Sequence, residues 1–355
     1  MSSTNNQLLE YIKKNNNEII KITDDNNLLK IYSYEKNNNI FSDSLPINLE
    51  CRGIIINDDN IIMRNLPFTY EYSDSDSDIK EKIEIIFNNC RFYDSQEGSL
   101  IRVFHFNDKW FMSTNRKLDA FKSRWSSDKS FGTYFVEGIR KIITDTDTDG
   151  SILERFYSTL NKEKKYLFLL KNSEENRIVC INSSENSIYH IGSYFNDEFL
   201  LDDECMFPHP KEYKTFRDVD TLVNHVKKVD IFNNQGIMCF GPNGYQYKIL
   251  NSKYLNYFNI RNNEPNIILR YLEIRTDEIK YNKFMYLYSN INYKFENIEK
   301  KIYSIVNQKE YKIICKCHNW HKENMITNKI NYNKVFEIFN KETPKDIYDM
   351  IKLHN

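Results

Sequence analysis

Paired short apolar runs, each folded about a few turn-forming residues, constrain this chain most. Residues 51–57 (CRGIIIN) and 60–64 flank Asp58-Asp59-Asn60 and read as a β-hairpin. Residues 99–106 and 109–114 pair about Asn107-Asp108, the dipeptide type of a two-residue hairpin turn. Residues 237–240 and 245–250 bracket Gly241-Pro242-Asn243-Gly244, a strong turn signal. Residues 165–170 and 176–182 read as further strands. Residues 130–143 carry a helical period instead, with Phe135, Ile139 and Ile142 on one face. Hairpins pair neighbouring strands antiparallel, so this stretch is expected to be an antiparallel α+β core.

The strand pattern stops near residue 264. Residues 284–306 and 332–339 are helical in period. Thr343-Pro344-Lys345-Asp346 then supplies a cap, a proline at the first helical position and an acid at the third. Ile347, Met350 and Ile351 form the apolar face of that last helix. The expected organisation is a helical or flexible lead over 1–34, where Leu8, Leu9, Ile12, Ile19 and Ile20 alternate with Asn runs. An α+β domain over 35–262 and an all-helical domain over 263–355 follow. No internal repeat is evident.

Composition excludes several classes. Aromatic residues make up 14% of the 355, too many for a disordered chain. No apolar run approaches the ~20 residues of a membrane span. The Asn-rich start lacks the apolar stretch of a secretory signal. Seven scattered cysteines show no disulfide framework and read as reduced thiols. The expected compartment is therefore cytoplasmic, or for a viral chain the host cytoplasm or the virion, with no membrane partner. Net charge is −1, yet residues 251–355 hold 18 basic against 12 acidic residues. That excess suits either nucleic acid or a solvated helical face.

Four segments occur in an informative order. They are Cys51-Arg52-Gly53-Ile54, Ser95-Gln96-Glu97-Gly98-Ser99-Leu100, Asn176-Arg177-Ile178-Val179 and Gln235-Gly236-Ile237-Met238, with Tyr247-Lys248-Ile249-Leu250 twelve residues beyond Gly236. This order resembles the adenylyltransferase domain of phage-type RNA ligases, in the covalent nucleotidyltransferase superfamily, over about residues 48–262. The resemblance implies an antiparallel-sheet nucleotidyltransferase fold with a nucleotide-sized cleft. It implies ATP or GTP with Mg²⁺ as cofactor, and RNA or a nucleotide as partner. In such ligases a Lys-x-Asp-Gly motif supplies an amine that attacks the α-phosphate and forms lysyl-AMP. Other lysines and a divalent metal stabilise the phosphate, and carboxylates hold metal and ribose.

The chain departs from that pattern where the chemistry lies. Aligned on Gly98, the nucleophile position is Ser95, and Glu97 replaces the motif aspartate. Leu169 or Leu170 stands where a Glu is expected, Gln235 replaces the Glu of the Glu-Gly strand, and Leu250 replaces the second closing lysine. A serine forms no phosphoramidate, and a leucine holds no metal. The expected function is a degenerate RNA-ligase-like protein, a pseudoenzyme that binds nucleotide or RNA ends without lysine adenylylation. Two alternatives stay open. One is an active ATP-dependent RNA ligase with a relocated lysine, Lys117 and Lys122 being near in sequence. The other is an interaction platform that binds no nucleotide. Residues 97–104, 113–123, 268–275 and 317–321 also look like a group of uncharacterised giant-virus proteins.

The nucleotide-binding candidates are Arg52, Gly53, Glu97, Gly98, Gln235, Gly236 and Lys248. Arg52 reads equally as a strand residue paired with an acid, and Glu97 as a surface salt bridge. Arg102, Arg116 and Lys117 are candidates for tracking an RNA backbone, against a charged edge strand. Cys315-Lys316-Cys317-His318-Asn319-Trp320-His321 is too tight for one zinc ion, and reads as a helix with Cys and Trp in a core. Asp145-Thr146-Asp147-Thr148-Asp149-Gly150 begins like a calcium loop, but position twelve is Phe156 rather than Glu. The alternating residues 73–78 read as a solvated loop. No zinc or calcium is expected.

Overall fold

The computed structural model describes residues 3–15, 20–34, 50–66, 68–143, 151–171, 173, 177–181, 188–201, 203–241, 246–307 and 339–353. The cysteine/histidine cluster at 315–321, the acidic run 145–150, the turn residues 242–245 and the expected helix before Phe339 lie outside them. The chain divides into two compact units, Met1–Leu255 and Asn256–Asn355.

The described residues of the first unit form three sheets. In the first, β1 (Ile20–Asp25), β2 (Lys30–Tyr34), β3 (Arg52–Asn57) and β4 (Asn60–Met63) lie in that order, all antiparallel. The second has the order β12-β6-β13-β14-β5, from β12 (Glu212–Tyr213), β6 (Arg91–Ser95), β13 (Gly236–Phe240), β14 (Gln246–Leu250) and β5 (Thr69–Ser73). The third has the order β11-β10-β9-β7-β8, from β11 (Glu198–Leu200), β10 (Ile188–Phe195), β9 (Lys165–Lys171), β7 (Gly98–Phe106) and β8 (Lys109–Ser113). One pair departs from the expected antiparallel order. β14 and β5 run parallel, with Lys248 opposite Glu71.

The hairpins follow from local chemistry. Asn107 and Asp108 both take positive φ (46° and 57°), so the turn twists with its strands, and Asn196 and Asp197 do the same between β10 and β11. The stretch 20–34 corrects the expected lead. Helix α1 (Ser3–Asn15) is present, but Ile20 to Tyr34 is a hairpin docked on β3. Its Asn run is the turn: Asn27 has φ 68°, and the Asn26 side chain accepts from the backbone N–H groups of Leu28 and Leu29. Ile20, Leu29 and Ile31 are fully buried, which decides strand over loose lead.

Four cores hold these layers. Helix α1 packs Leu8, Leu9 and Ile12 on Ile54 and Ile56 of the first sheet. The other face of that sheet, Leu29, Ile31, Ile55 and Met63, packs with Phe104, Leu167 and Tyr194 of the third. Beyond the third sheet, α3 (Phe131–Ile139) and α4 (Ile152–Ser158) bring Phe135 and Phe156 against Phe168 and Phe207. Helices α2 (Ile79–Phe87) and α5 (Val219–Lys227) cover the second sheet at Phe92, Ile237, Cys239 and Ile249. Helix α3 stops at Ile139, so Ile142 lies past its end and is 36% exposed rather than on the apolar face. Asp74 also corrects a reading: it is buried and accepts from the Ser252 N–H, so the Ser/Asp loop is tied down at one residue.

The second unit is helical throughout its described residues. Helix α6 (Ser252–Arg261) runs into it, followed by α7 (Ile267–Ile274), α8 (Glu278–Leu287), α9 (Asn292–Asn307) and α10 (Pro344–Leu353). The single helix expected over 284–306 is two, broken by a turn at Ser289–Ile291. Tyr271, Phe284 and Phe295 form its aromatic centre, and Arg275 grips Glu299 with two nitrogens at 2.8 Å. The Thr343 cap is as expected, accepting from the Asp346 N–H at 3.2 Å, with Ile347, Met350 and Ile351 buried. No helix among the described residues is long and apolar enough to cross a membrane.

Candidate nucleotide site

The strand register brings three of the motif positions together. Ser95 at the end of β6 lies opposite Gly236 on β13, and Gly236 lies opposite Leu250 on β14. Gly236 has φ 149°, and a Cβ there would stand 2.0 Å from the Ile249 carbonyl oxygen, so only glycine lets these strands approach. Gln235, one residue earlier, donates its backbone N–H to the Ser95 carbonyl at 2.8 Å.

The side chains here form a closed polar chain. Ser95 Oγ donates to Gln235 Oε1 at 3.2 Å, and Gln235 Nε2 donates to the Tyr254 hydroxyl at 2.9 Å. Tyr254 Oη donates to Glu97 Oε2 at 3.1 Å. Glu97 also accepts the backbone N–H groups of Ile178, Val179 and Cys180 at 2.6, 2.9 and 3.2 Å. Ser95, Glu97 and Tyr254 are 2–3% exposed and Gln235 is 9% exposed. Such density of partners is what a buried carboxylate requires. Burial and the negative charge of Glu97 push the Tyr254 phenol far up, so it stays a neutral donor.

Tyr254 was not legible as a site residue. Its position follows from Asn251, which ends β14 and caps α6 by accepting the Lys253 N–H at 2.8 Å. The segment gripped by Glu97 is likewise not the expected strand over 176–182. Arg177 to Cys180 form an irregular bend, whose backbone donors turn to the carboxylate instead of a sheet partner. Three successive N–H groups on one carboxylate are incompatible with the alternating pattern of a strand.

Lys171 stands beside this cluster. It ends β9 directly opposite Gly98, is 8% exposed, and its amine makes no hydrogen bond or ion pair among the described residues. Burial lowers its amine pKa, against the opposing charges of Cys180, Glu97 and Asp94. Gly98 itself allows close approach of β7 and β9: a Cβ would lie 2.4 Å from the Leu170 carbonyl oxygen.

The remaining candidates lie apart. Arg52 opens β3 with an exposed side chain that has no polar partner among the described residues. Gly53 has φ 76°, and a Cβ there would meet the Asn115 carbonyl oxygen at 2.7 Å. Lys248 pairs with Glu71 at 3.3 Å. Leu250 is buried at 3% exposure. Arg52, Glu97 and Lys248 therefore sit on different strands and loops, and Lys248 is paired with Glu71 rather than with either of the others.

The RNA-tracking set needs a correction. Arg102 is fully buried and reaches no surface; its guanidinium donates to the carbonyl oxygens of Gly53 and Thr114, tying the first sheet to the third. Burial pulls its pKa down to about 9. It points inward because Arg102 alternates with the opposite-facing Ile101 and Val103, which fill the helix-covered core. Lys117 pairs with Asp24 at 3.3 Å, and Arg116 is exposed. Among the described residues no group of three or more His, Cys, Asp or Glu is placed to hold a metal ion.

The chain is 33% identical over 213 residues to an "Immediate-early protein ICP-46 homolog" of Invertebrate iridescent virus 3, covering 59% of this chain and 46% of that protein. It is 24% identical over 221 residues to a "Putative bifunctional polynucleotide kinase/RNA ligase" of Autographa californica nuclear polyhedrosis virus, covering 59% of this chain and 31% of that protein. Among solved structures, a "Putative ATP-dependent DNA ligase from Aquifex aeolicus" superposes with a TM-score of 0.46 at 12% identity, covering 83% of this chain and 80% of the ligase. No family model matches the chain. The chain spans about half the length of the curated relatives it resembles, 46% to 59% of the first three. The curated relatives named here are viral proteins, and the solved structures to which the chain is similar include an archaeal ATP-dependent RNA ligase.

Proposed function

We propose that this chain is a degenerate RNA-ligase-like protein that binds a nucleotide or an RNA end and forms no lysyl-nucleotide at the motif position. The observation that carries this reading is the closed chain Ser95–Gln235–Tyr254–Glu97. The hydroxyl, amide and carboxylate standing at motif positions satisfy one another and the backbone of residues 178–180. A ligand phosphate or metal at those atoms has to displace buried hydrogen bonds worth roughly 1–3 kcal/mol each. Ser95 Oγ donates to the Gln235 amide oxygen, which is no base for its proton. Arg52, exposed and unpaired among the described residues, remains suited to a phosphate. The ligand would be ATP or GTP with Mg²⁺, or a phosphorylated RNA end.

Incubation with α-labelled ATP or GTP and Mg²⁺ or Mn²⁺, followed by a denaturing gel and intact mass, tests this. The expected result is saturable binding without an adduct. A covalent nucleotide overturns it, and neither adduct nor binding leaves an interaction platform, which the buried Leu250 would suit.

One observation favours the active alternative. Lys171 is a buried amine without a hydrogen-bond partner among the described residues, beside Glu97, with its pKa lowered by burial. That is the state of a nucleophilic lysine. An adduct that disappears in Lys171→Met, and persists in Lys117→Met and Lys122→Met, would establish this second reading.

A further inference from the structure

A cavity of about 360 Å³ opens between the β1–β2 turn, β8, the segment 118–122 and Tyr157 of α4, and shares no lining residue with the Ser95–Glu97 cluster. Its walls include Trp110, Phe121 and Tyr157 with the carboxylates of Asp24 and Asp119. Trp110 and Tyr157 stack with ring centres 5.3 Å apart and planes 6° from parallel, forming one rigid wall. Phe121 is 38% exposed at the mouth. Its ring lies on Gly132 of α3, where a Cβ would come within 2.6 Å of it. The glycine thus lets the ring lie against the helix and keeps the mouth open.

The electrostatics select one ligand class. Asp24, Asp25 and Asp119 place three carboxylates on the wall against two nearby amines, Lys117, which pairs with Asp24 at 3.3 Å, and Lys122; aromatic faces add a negative quadrupole. Lys122, the basic residue on the wall, has a side chain 80% exposed and stands 3.9 Å from Asp119, beyond hydrogen-bond length. The charge of Asp119 reaches into the cavity, since together with burial it raises the Tyr157 phenol to about 12. The three carboxylates outnumber these amines, so the wall disfavours a phosphate, whereas a flat or alkyl cation meets carboxylate and aromatic ring together. The volume lies at the small end for a ligand pocket, room for one side-chain-sized group.

We propose that this cavity takes an organic cation, a guanidinium or alkylammonium group, supplied by a basic peptide side chain or by a free polyamine. The proposal stands independently of nucleotide binding at the motif cluster.

Titration of the full chain with N-acetyl-arginine amide, with spermidine and with ATP, read by tryptophan fluorescence, tests it. The expected result is a saturable change with the two cations and none with ATP. The stronger of the two cations identifies the source. Asp119→Asn is expected to weaken binding about tenfold, because asparagine still accepts the Phe121 N–H and only the charge is lost. Gly132→Ala, which touches no charged group of the wall, is expected to displace Phe121 and weaken binding similarly. Circular dichroism confirms that both variants are folded. An unchanged affinity in folded Asp119→Asn, no cation response, or an equal response to ATP overturns the proposal.

Discussion

Glu97→Ala separates a structural carboxylate from one held ready for metal or ribose. The wild-type group accepts three backbone N–H groups, two of them buried, at 2.6, 2.9 and 3.2 Å and a tyrosine hydroxyl at 3.1 Å. A hydrogen bond to a charged acceptor contributes about 1.5–3 kcal/mol, and a buried donor left alone costs about 1–3 kcal/mol. The four share one acceptor and are not additive, and removing a buried charge offsets part of the loss. The expected destabilisation is therefore about 4 kcal/mol for Glu97→Ala. For Glu97→Gln it is about 2 kcal/mol, since the amide keeps one acceptor oxygen and turns an N–H₂ toward N–H donors. Urea unfolding measures both, with the slope checked for constancy. Amide hydrogen exchange at Val179 and Cys180 should accelerate in the same variants. If Glu97→Ala stays within about 0.5 kcal/mol of the parent while nucleotide or metal binding disappears, the carboxylate is a ligand-holding group.

Other outcomes follow from single features. His190 is fully buried against Tyr166, Phe168 and His209, and burial, followed by His209, lowers its pKa from 6.5 to about 4. The unfolded chain takes up that proton first, so stability is full above pH 6.5 and falls toward pH 4, by up to about 3 kcal/mol. Unfolding curves of His190→Phe should lose that part of the pH dependence. Arg102→Met removes the ties to Gly53 and Thr114; a loss of about 2–4 kcal/mol in thermal or urea unfolding is expected. Any RNA affinity and its salt slope should stay unchanged in folded Arg102→Met, whereas Arg116→Ala should lower that slope without affecting stability. Gly236→Ala forces a Cβ to 2.0 Å from the Ile249 oxygen at positive φ, and should cost at least about 3 kcal/mol by the same unfolding assay. A double-mutant cycle on Lys248 and Glu71 should give a coupling of no more than about 0.5 kcal/mol, because the pair is partly solvated.

Sequence and structure divide the information unevenly. The hairpin at Asn107-Asp108, the change from strands to helices and the Thr343 cap were legible because each depends on neighbouring residues. A turn dipeptide sets its own φ, and a cap bonds to the residue three ahead. The 20–34 stretch was not, because its Asn-rich composition resembles a loose lead and only pairing with β3 makes it a sheet. The parallel β14–β5 pair joins residues far apart in the chain, and no local pattern marks it.

The motif order placed Ser95, Glu97, Gln235 and Gly236 in one neighbourhood, and the register across β6 and β13 brings those positions together. The identities of the residues also determined what chemistry is missing, since that is a property of the side chains alone. What each polar group does was decided by contacts across 81, 140 and 157 residues: Glu97 with Ile178, Ser95 with Gln235, Tyr254 with Glu97. Arg102 makes the point most plainly. In the sequence it is one of three cations near a hairpin; in the fold it is fully buried between two sheets. A residue's type fixes which bonds it is able to make, and burial by distant segments fixes which of them it must make.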